Sequence, residues 1–420
     1  MLDRTIAPAT GKISNLKFTR AYSVSLSNGI PIHIIDAGPH DIVRLEILLK
    51  SGRWYEQKKG AAYFASQMLL EGTSKISSRE LAGVFEFNGA HVNVNSGIDY
   101  NILVTYVMNS KLSEIAGFIR DCLLDPAYPA EELTTLKDIK QQQIRINNEK
   151  NNYIAGREIR KLLFGHAHPY GKELMVEDIN RDLSRDLLIQ YYNQDLLNGI
   201  ELIISGQISD RLIKDLQVFN DLPVIFPQER SWLIETGADR KVMIPKKDSL
   251  QASIRLGRHI IPKSHADYLG LSVLNVIFGG FFGSRLMKNI REDKGYTYGI
   301  HSSIINNLHD SFWVVGTDVK KEFTDDTLLQ IGIEADRLRN EQIGAEELKV
   351  VRNYMLGNFL SSLETSFSLA DKFKNIYFFG LDYSFYDQYI DTINTISAQQ
   401  IQDLAIQYLD MHTFRQVVVG

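Results

Sequence analysis

The chain of 420 residues is 44% hydrophobic, carries a formal net charge of −5 and holds a single cysteine. Such a chain can bury large cores and is long enough for about two or three domains, which excludes a disordered protein. The small charge and the absence of a clustered basic stripe argue against nucleic acid as a partner, and the lone Cys122 excludes a disulfide framework or a Cys-based metal cluster.

The opening segment MLDRTIAPAT has no apolar signal region, and no stretch of the sequence approaches the ~18 uninterrupted apolar residues of a membrane helix, so a cytoplasmic location off the membrane is expected. Alternation at Ile32-His33-Ile34 and at Val43, Leu45 and Ile47 predicts strands over 30–35 and 43–50. Residues 60–73, GAAYFASQMLLEGT, predict a helix, and 88–100, NGAHVNVNSGIDY, a strand at a sheet edge. Cys122 falls in an apolar helical stretch, 119–124, and reads as inert core. A long helix starts at Pro129, in which the steps Leu133, Leu136, Ile139 and Gln143 predict one inward face, with Gln67 as the partner that a buried Gln143 amide would need. Residues 178–192, DINRDLSRDLLIQYY, predict a further helix.

Residues 220–237, with Pro223, Pro227 and a Gln228-Glu229-Arg230 run, read as a linker. Beyond it come strands at 241–244 and 252–257. The glycine-rich GGFFGSR at 279–285 lacks the Gly-Lys-Ser/Thr ending of a phosphate loop and reads as a tight turn. A second long helix starts at Gly344 and a last helix covers 391–409. The Glu-Glu-Leu triplets at 131–133 and 346–348 and the Ile-Asn pairs at 179 and 393 repeat at an offset of about 215 residues, the mark of an internal duplication. The expected architecture is α+β in two duplicated domains, 1–224 and 225–420. Each is a mostly antiparallel sheet with helices on one face.

Gly60, Ala62, Gly72 and Thr73 stand where the pitrilysin/insulinase family, which includes mitochondrial processing peptidase, places the frame of its inverted zinc helix. The chain resembles that family over roughly residues 20–415. The resemblance implies one half of a metallohydrolase clamshell, similar to LuxS and to the processing peptidase. It also shows what is missing: Tyr63 and Gln67 stand at the histidine positions, Ser66 at the catalytic base and Gln143 at the third ligand. A phenol with a pKa near ~10 and neutral amides do not replace two imidazoles and a carboxylate, and a hydroxyl is no general base. No metal or other cofactor is therefore expected in this chain.

The second-half signature, FGGFFGSRLMKNIREDKGYTY at 278–298, resembles the family segment that supplies Arg291 and Tyr298 to a facing zinc site, where a guanidinium and a phenol can bind the substrate carbonyl. The edge strand around Asn93, Val94 and Asn95 resembles the one that pairs with extended peptide. By the same resemblance GHAHPYG, with His166 and His168, is a structural turn. The short apolar loop at Phe281 and Phe282 differs from the long polar glycine loop of the processing peptidase's noncatalytic subunit, which speaks against recognition of targeting presequences. The resemblance thus implies a noncatalytic, peptide-binding subunit completing a zinc-bearing homologue in a heterodimer, with the zinc in that partner. The alternatives are a peptide-binding homodimer or a structural scaffold, as in the core subunits of the respiratory cytochrome bc complex.

Overall fold

The computed structural model describes residues 18–235 and 237–420, so the segment MLDRTIAPAT and, within the expected linker, Thr236 lie outside the described residues. In the first half, strands β1 (Tyr22–Ser25), β2 (Pro31–Asp36), β3 (Ile42–Leu49), β4 (His91–Ser96), β5 (Asn101–Met108) and β6 (Glu201–Gly206) form a sheet in the order β1-β2-β6-β3-β5-β4. The second half repeats the plan with β7 (Lys241–Ile244), β8 (Gln251–Ile260), β9 (Thr297–Asn306), β10 (Ser311–Lys320) and β11 (Arg415–Val419), ordered β7-β11-β8-β10-β9. Among these strands of the described residues, β2/β6 and β7/β11 pair in parallel and the other pairs are antiparallel. Both β4 and β9 lie at a sheet edge.

Strand alternation decides what each face meets. Val43, Leu45, Ile47 and Leu49 of β3 point into a core with helices of the same half, among them Phe64, Leu81, Ile115 and Ile119. Ala252, Ile254 and Leu256 of β8 do the same in the second half, against Leu274, Ile331 and Val351. The opposite faces are covered reciprocally. Helix Asn151–Phe164 of the first half lies on β8 and β11 of the second, where Ile159 and Leu163 pack with Phe312, Val417 and Val419. Helix Ser366–Tyr377 of the second half lies on β2 and β6 of the first, where Leu369, Ala370 and Phe373 pack with Ile35, Leu48 and Ile203. The two helices occupy corresponding places in the duplication, about 215 residues apart.

This exchange buries charges that alternation alone would leave to solvent. Arg44 and Glu46, on the outer face of β3, are 5% and 2% exposed. Arg44 donates to the Phe367 carbonyl at 2.8 Å and pairs with Asp371 at 2.9 Å and Glu46 at 3.0 Å, while Lys374 also bonds Glu46. A second seam joins the halves where Tyr170 donates to Asp99 at 2.9 Å, accepts from the His309 amide at 3.1 Å, and the Trp54 ring stacks on His309 at 3.8 Å.

Three expected elements differ in detail. The helix at 60–73 is α-helical only over Ala61–Gln67, continues as a tighter turn over Met68–Leu70 and stops at Gly72, whose φ of 96° suits glycine. The helix at 178–192 is two, Val176–Asp182 and Arg185–Tyr191, because Ser184 caps the second by accepting from the Leu187 amide. The helix at 391–409 is likewise split by the capping box of Ser397 and Gln400.

Candidate functional site

The helix at Ala61–Gln67 is positioned by a buried carboxylate. Glu56, 2% exposed, accepts from the backbone amides of Gly60 at 3.0 Å and Ala62 at 3.2 Å and pairs with the equally buried Lys172 at 3.2 Å. Burial raises the Glu56 pKa and lowers that of Lys172, so the pair is held by mutual attraction and by the helix amides against the cost of desolvation. Gly60 itself, at φ 88°, turns the chain into the helix.

The four positions of the zinc frame have different partners. Tyr63 lines a cavity of about 340 Å³ between this helix and the long helix Ala130–Asn148, and Gln143 lines the same cavity. Ser66 is fully buried on another side and donates to the Tyr63 carbonyl at 3.0 Å. Gln67 donates to the Val94 carbonyl on edge strand β4 at 2.8 Å. The expected Gln67 partner of Gln143 is therefore taken by β4, and Gln143 is solvent-exposed rather than inward. The inward stripe of the long helix runs through Leu133, Leu136, Lys140 and Ile144. Ile139 is 59% exposed, because the register lies one position on from the steps that predict it. The Lys140 ammonium sits 4.0 Å from the centre of the Tyr63 ring. A phenol whose pKa burial raises, an amide engaged elsewhere and an ammonium over the first ligand position do not fit zinc.

Around this cavity run further charges. Arg53 lies in the turn after β3, whose backbone is pinned on the 97–99 turn: the Arg53 amide donates to the Gly97 carbonyl and the Trp54 amide to that of Ile98. A side chain at Gly52 would meet the Ile98 carbonyl oxygen at 2.4 Å. Arg53 and Ile98 also line a second cavity of about 360 Å³ between the halves, whose Arg255 and His301 in turn line a third of about 910 Å³ beside β9. Shared lining residues thus set the three side by side, with Tyr63 on the first and Tyr298 on the last.

Beside the third cavity the structure brings Arg291 and Tyr298 together. The Arg291 guanidinium lies 4.3 Å from the centre of the Phe282 ring and 5.5 Å from that of Tyr298. Tyr298 is 93% exposed on edge strand β9. Phe282, 62% exposed, completes the stack, and only its place in the glycine-rich loop marks it in the sequence. Gly279 and Gly280 end a π-helical turn at Val276–Gly280, where Gly279 approaches β9 so closely that a Cβ would meet that of Ser302 at 2.7 Å. Arg285 of the Ser-Arg-Leu motif makes a two-pronged bond to Glu347, at 3.0 and 3.1 Å, which ties this segment to the repeated Glu-Glu-Leu helix.

Asn93, Val94 and Asn95 lie on β4 opposite Val104, Leu103 and Ile102, and among the described residues no strand pairs with the outer edge. His166 is exposed, whereas His168 is buried among Trp54, Phe164 and Tyr170 and accepts from the Tyr170 amide at 3.1 Å, so the two do not converge. Burial pushes the His168 pKa down to about 4 and that of the fully buried Cys122 thiol up to about 12. Among the described residues no three His, Cys, Asp or Glu side chains gather as a metal site, and no helix is long and apolar enough to cross a membrane. Glu56, Lys140 and Lys172 escape sequence reasoning: no motif contains them, and only the position of Glu56 just ahead of the Gly60 turn hints at a cap.

Residues 32–174 match the description "Insulinase (Peptidase family M16)" and residues 178–355 match "Peptidase M16 inactive domain". The chain is 25% identical over 397 residues to an uncharacterized zinc protease, YmxG, of Bacillus subtilis, covering 90% of this chain and 93% of that one. It is 21% identical over 368 residues to a protein of Helicobacter pylori named as a non-peptidase homolog, covering 86% and 84%. Among solved structures, a peptidase M16 inactive domain from Pseudomonas fluorescens superposes with a TM-score of 0.86 at 20% identity, over 95% of this chain and 98% of that one. With both halves matched, and with the zinc-helix frame kept while its ligands are replaced, the chain belongs to the insulinase family, peptidase M16, as a homologue of the inactive type.

Proposed function

We propose that this chain is the peptide-binding subunit of a two-chain zinc metallopeptidase. In this reading a homologous partner carries His-x-x-Glu-His and the zinc, and this chain supplies Arg291 and Tyr298 to that site. The observation that carries the reading is the Arg291 stack: a guanidinium over the rings of Phe282 and Tyr298, which both line the 910 Å³ cavity, with Tyr298 93% exposed on an edge strand. A tyrosine so exposed contributes little to a core, and a guanidinium and phenol side by side can donate to a peptide carbonyl and to the oxyanion that forms from it. Extended peptide would be held by strand addition along the free edge of β4 at Asn93–Asn95, using groups other than the Val94 carbonyl that Gln67 occupies.

The test is reconstitution with a His-x-x-Glu-His homologue from the same source and comparison of Arg291→Ala and Tyr298→Phe. Each is expected to lower kcat by about 100-fold, the usual cost of one lost oxyanion donor, with the native mass of the assembly unchanged. Full activity in an intact assembly would overturn the catalytic contribution and leave a scaffold or a peptide-binding homodimer.

A further inference from the structure

We infer that the cavity between the degenerate zinc helix and the long helix Ala130–Asn148 binds a peptide carboxylate, with Lys140 and Arg53 as its anion-binding groups. The inference starts from a charge count of the cavity wall. Arg53, Lys59, Lys140 and Lys172 face Glu56 and Glu173 there. Lys172 is neutralised by Glu56 at 3.2 Å, and Lys59 by Asp178 at 3.5 Å. Glu173 is taken by Tyr153 and by Arg160, at 2.8 and 3.1 Å. Two cations remain. Among the described residues the Arg53 guanidinium makes one protein hydrogen bond, to the Lys172 carbonyl at 3.2 Å, and lines this cavity with donors to spare. The Lys140 ammonium rests on the Tyr63 ring, a neutral partner that attracts a cation without balancing it.

Such an arrangement is costly when empty. Partial burial lowers the pKa of Lys140, and an incoming anion would reverse that cost by pairing with it at short range. The surplus is local, because the whole chain is acidic at −5. The walls select the kind of anion. Ile98, Ile144 and Leu174 add apolar surface, and about 340 Å³ is far more than a bare carboxylate needs, so the carboxylate arrives attached to a residue. Ser96, Gly97 and Ile98, where β4 ends, form one side of the cavity, so a peptide laid along β4 leads into it. This last step rests on the peptide-binding reading above.

The test uses the full chain alone, deuterated and 15N-labelled, with amide shifts of Ser96, Gly97 and Asn147 as reporters. Three probes are titrated: N-acetyl-Ala-Leu with a free carboxylate, its C-terminal amide, and N-acetyl-Glu-Leu amide. At least one acidic probe is expected to bind about tenfold more tightly than the neutral amide, and which one does so tells a chain terminus from an acidic side chain. Lys140→Met should abolish the difference and Lys140→Arg keep it, with unchanged spectra elsewhere showing that both variants fold. Equal binding of acidic and neutral probes, or a preference that survives Lys140→Met, would overturn the site. Because no partner subunit is present, a carboxylate preference would stand even if the role of Arg291 and Tyr298 in turnover failed, and the reverse.

Discussion

At the scale of single residues, the substitutions in the zinc frame have become structural parts of a different kind. Gln67 ties its helix to β4, Ser66 is buried against its own helix, and Tyr63 seats a lysine. Restoring ligands should therefore be insufficient. The variant Tyr63→His, Gln67→His, Gln143→Glu is expected to bind zinc weakly by metal analysis after equilibrium dialysis, and adding Lys140→Met should tighten binding by about tenfold, because an ammonium at that position repels a dication. Equal zinc content with and without Lys140 would refute this. Glu56 makes the opposite point. Glu56→Gln leaves Lys172 buried and unpaired, so chemical denaturation should show a loss of about 3–5 kcal/mol. His168 adds to the acid sensitivity: burial pushes its pKa down to about 4, below the ordinary 6.5, so the unfolded chain takes up the proton first. Its contribution to stability is complete above pH 6.5 and is lost as pH falls from there toward 4. Denaturation midpoints across that window should fall less in His168→Asn, which keeps an acceptor for the Tyr170 amide.

At the scale of elements, what the sequence discloses depends on how far apart the interacting parts lie. The alternation Val43, Leu45, Ile47 reveals β3 and its inner face because neighbouring side chains carry that signal. The same alternation marks Arg44 and Glu46 as outward, which they are, yet they are buried, because the helix that covers them lies more than 300 residues further on. Periodicity also misplaced the face of the long helix by one position: Ile139 satisfies a three-residue step but is exposed, whereas Lys140 lines the cavity with its ammonium over the Tyr63 ring. The resemblance led to the frame at Gly60–Thr73 and to the Arg291 and Tyr298 positions. The cationic wall was hidden, since Arg53, Lys140 and Lys172 come from three separate segments.

At the scale of the molecule, the reciprocal helices join the two halves thermodynamically. Removing either half would bare an apolar sheet face on the other, at Ile35, Leu48 and Ile203 or at Phe312, Val417 and Val419. Calorimetry should accordingly show one unfolding transition, and Phe373→Ala, at the seam, should lower stability by about 3 kcal/mol without splitting it. Two resolved transitions would mean that the halves fold independently. Viewed through its duplication, the exchange has a historical reading. A lone ancestral half could complete its sheet only by lending a helix to an identical copy and borrowing one in return, which is the geometry of a domain-swapped dimer. The duplicated chain has the layout of that dimer joined end to end, and its two expected domains, 1–224 and 225–420, made as separate polypeptides should find each other and reassemble one to one.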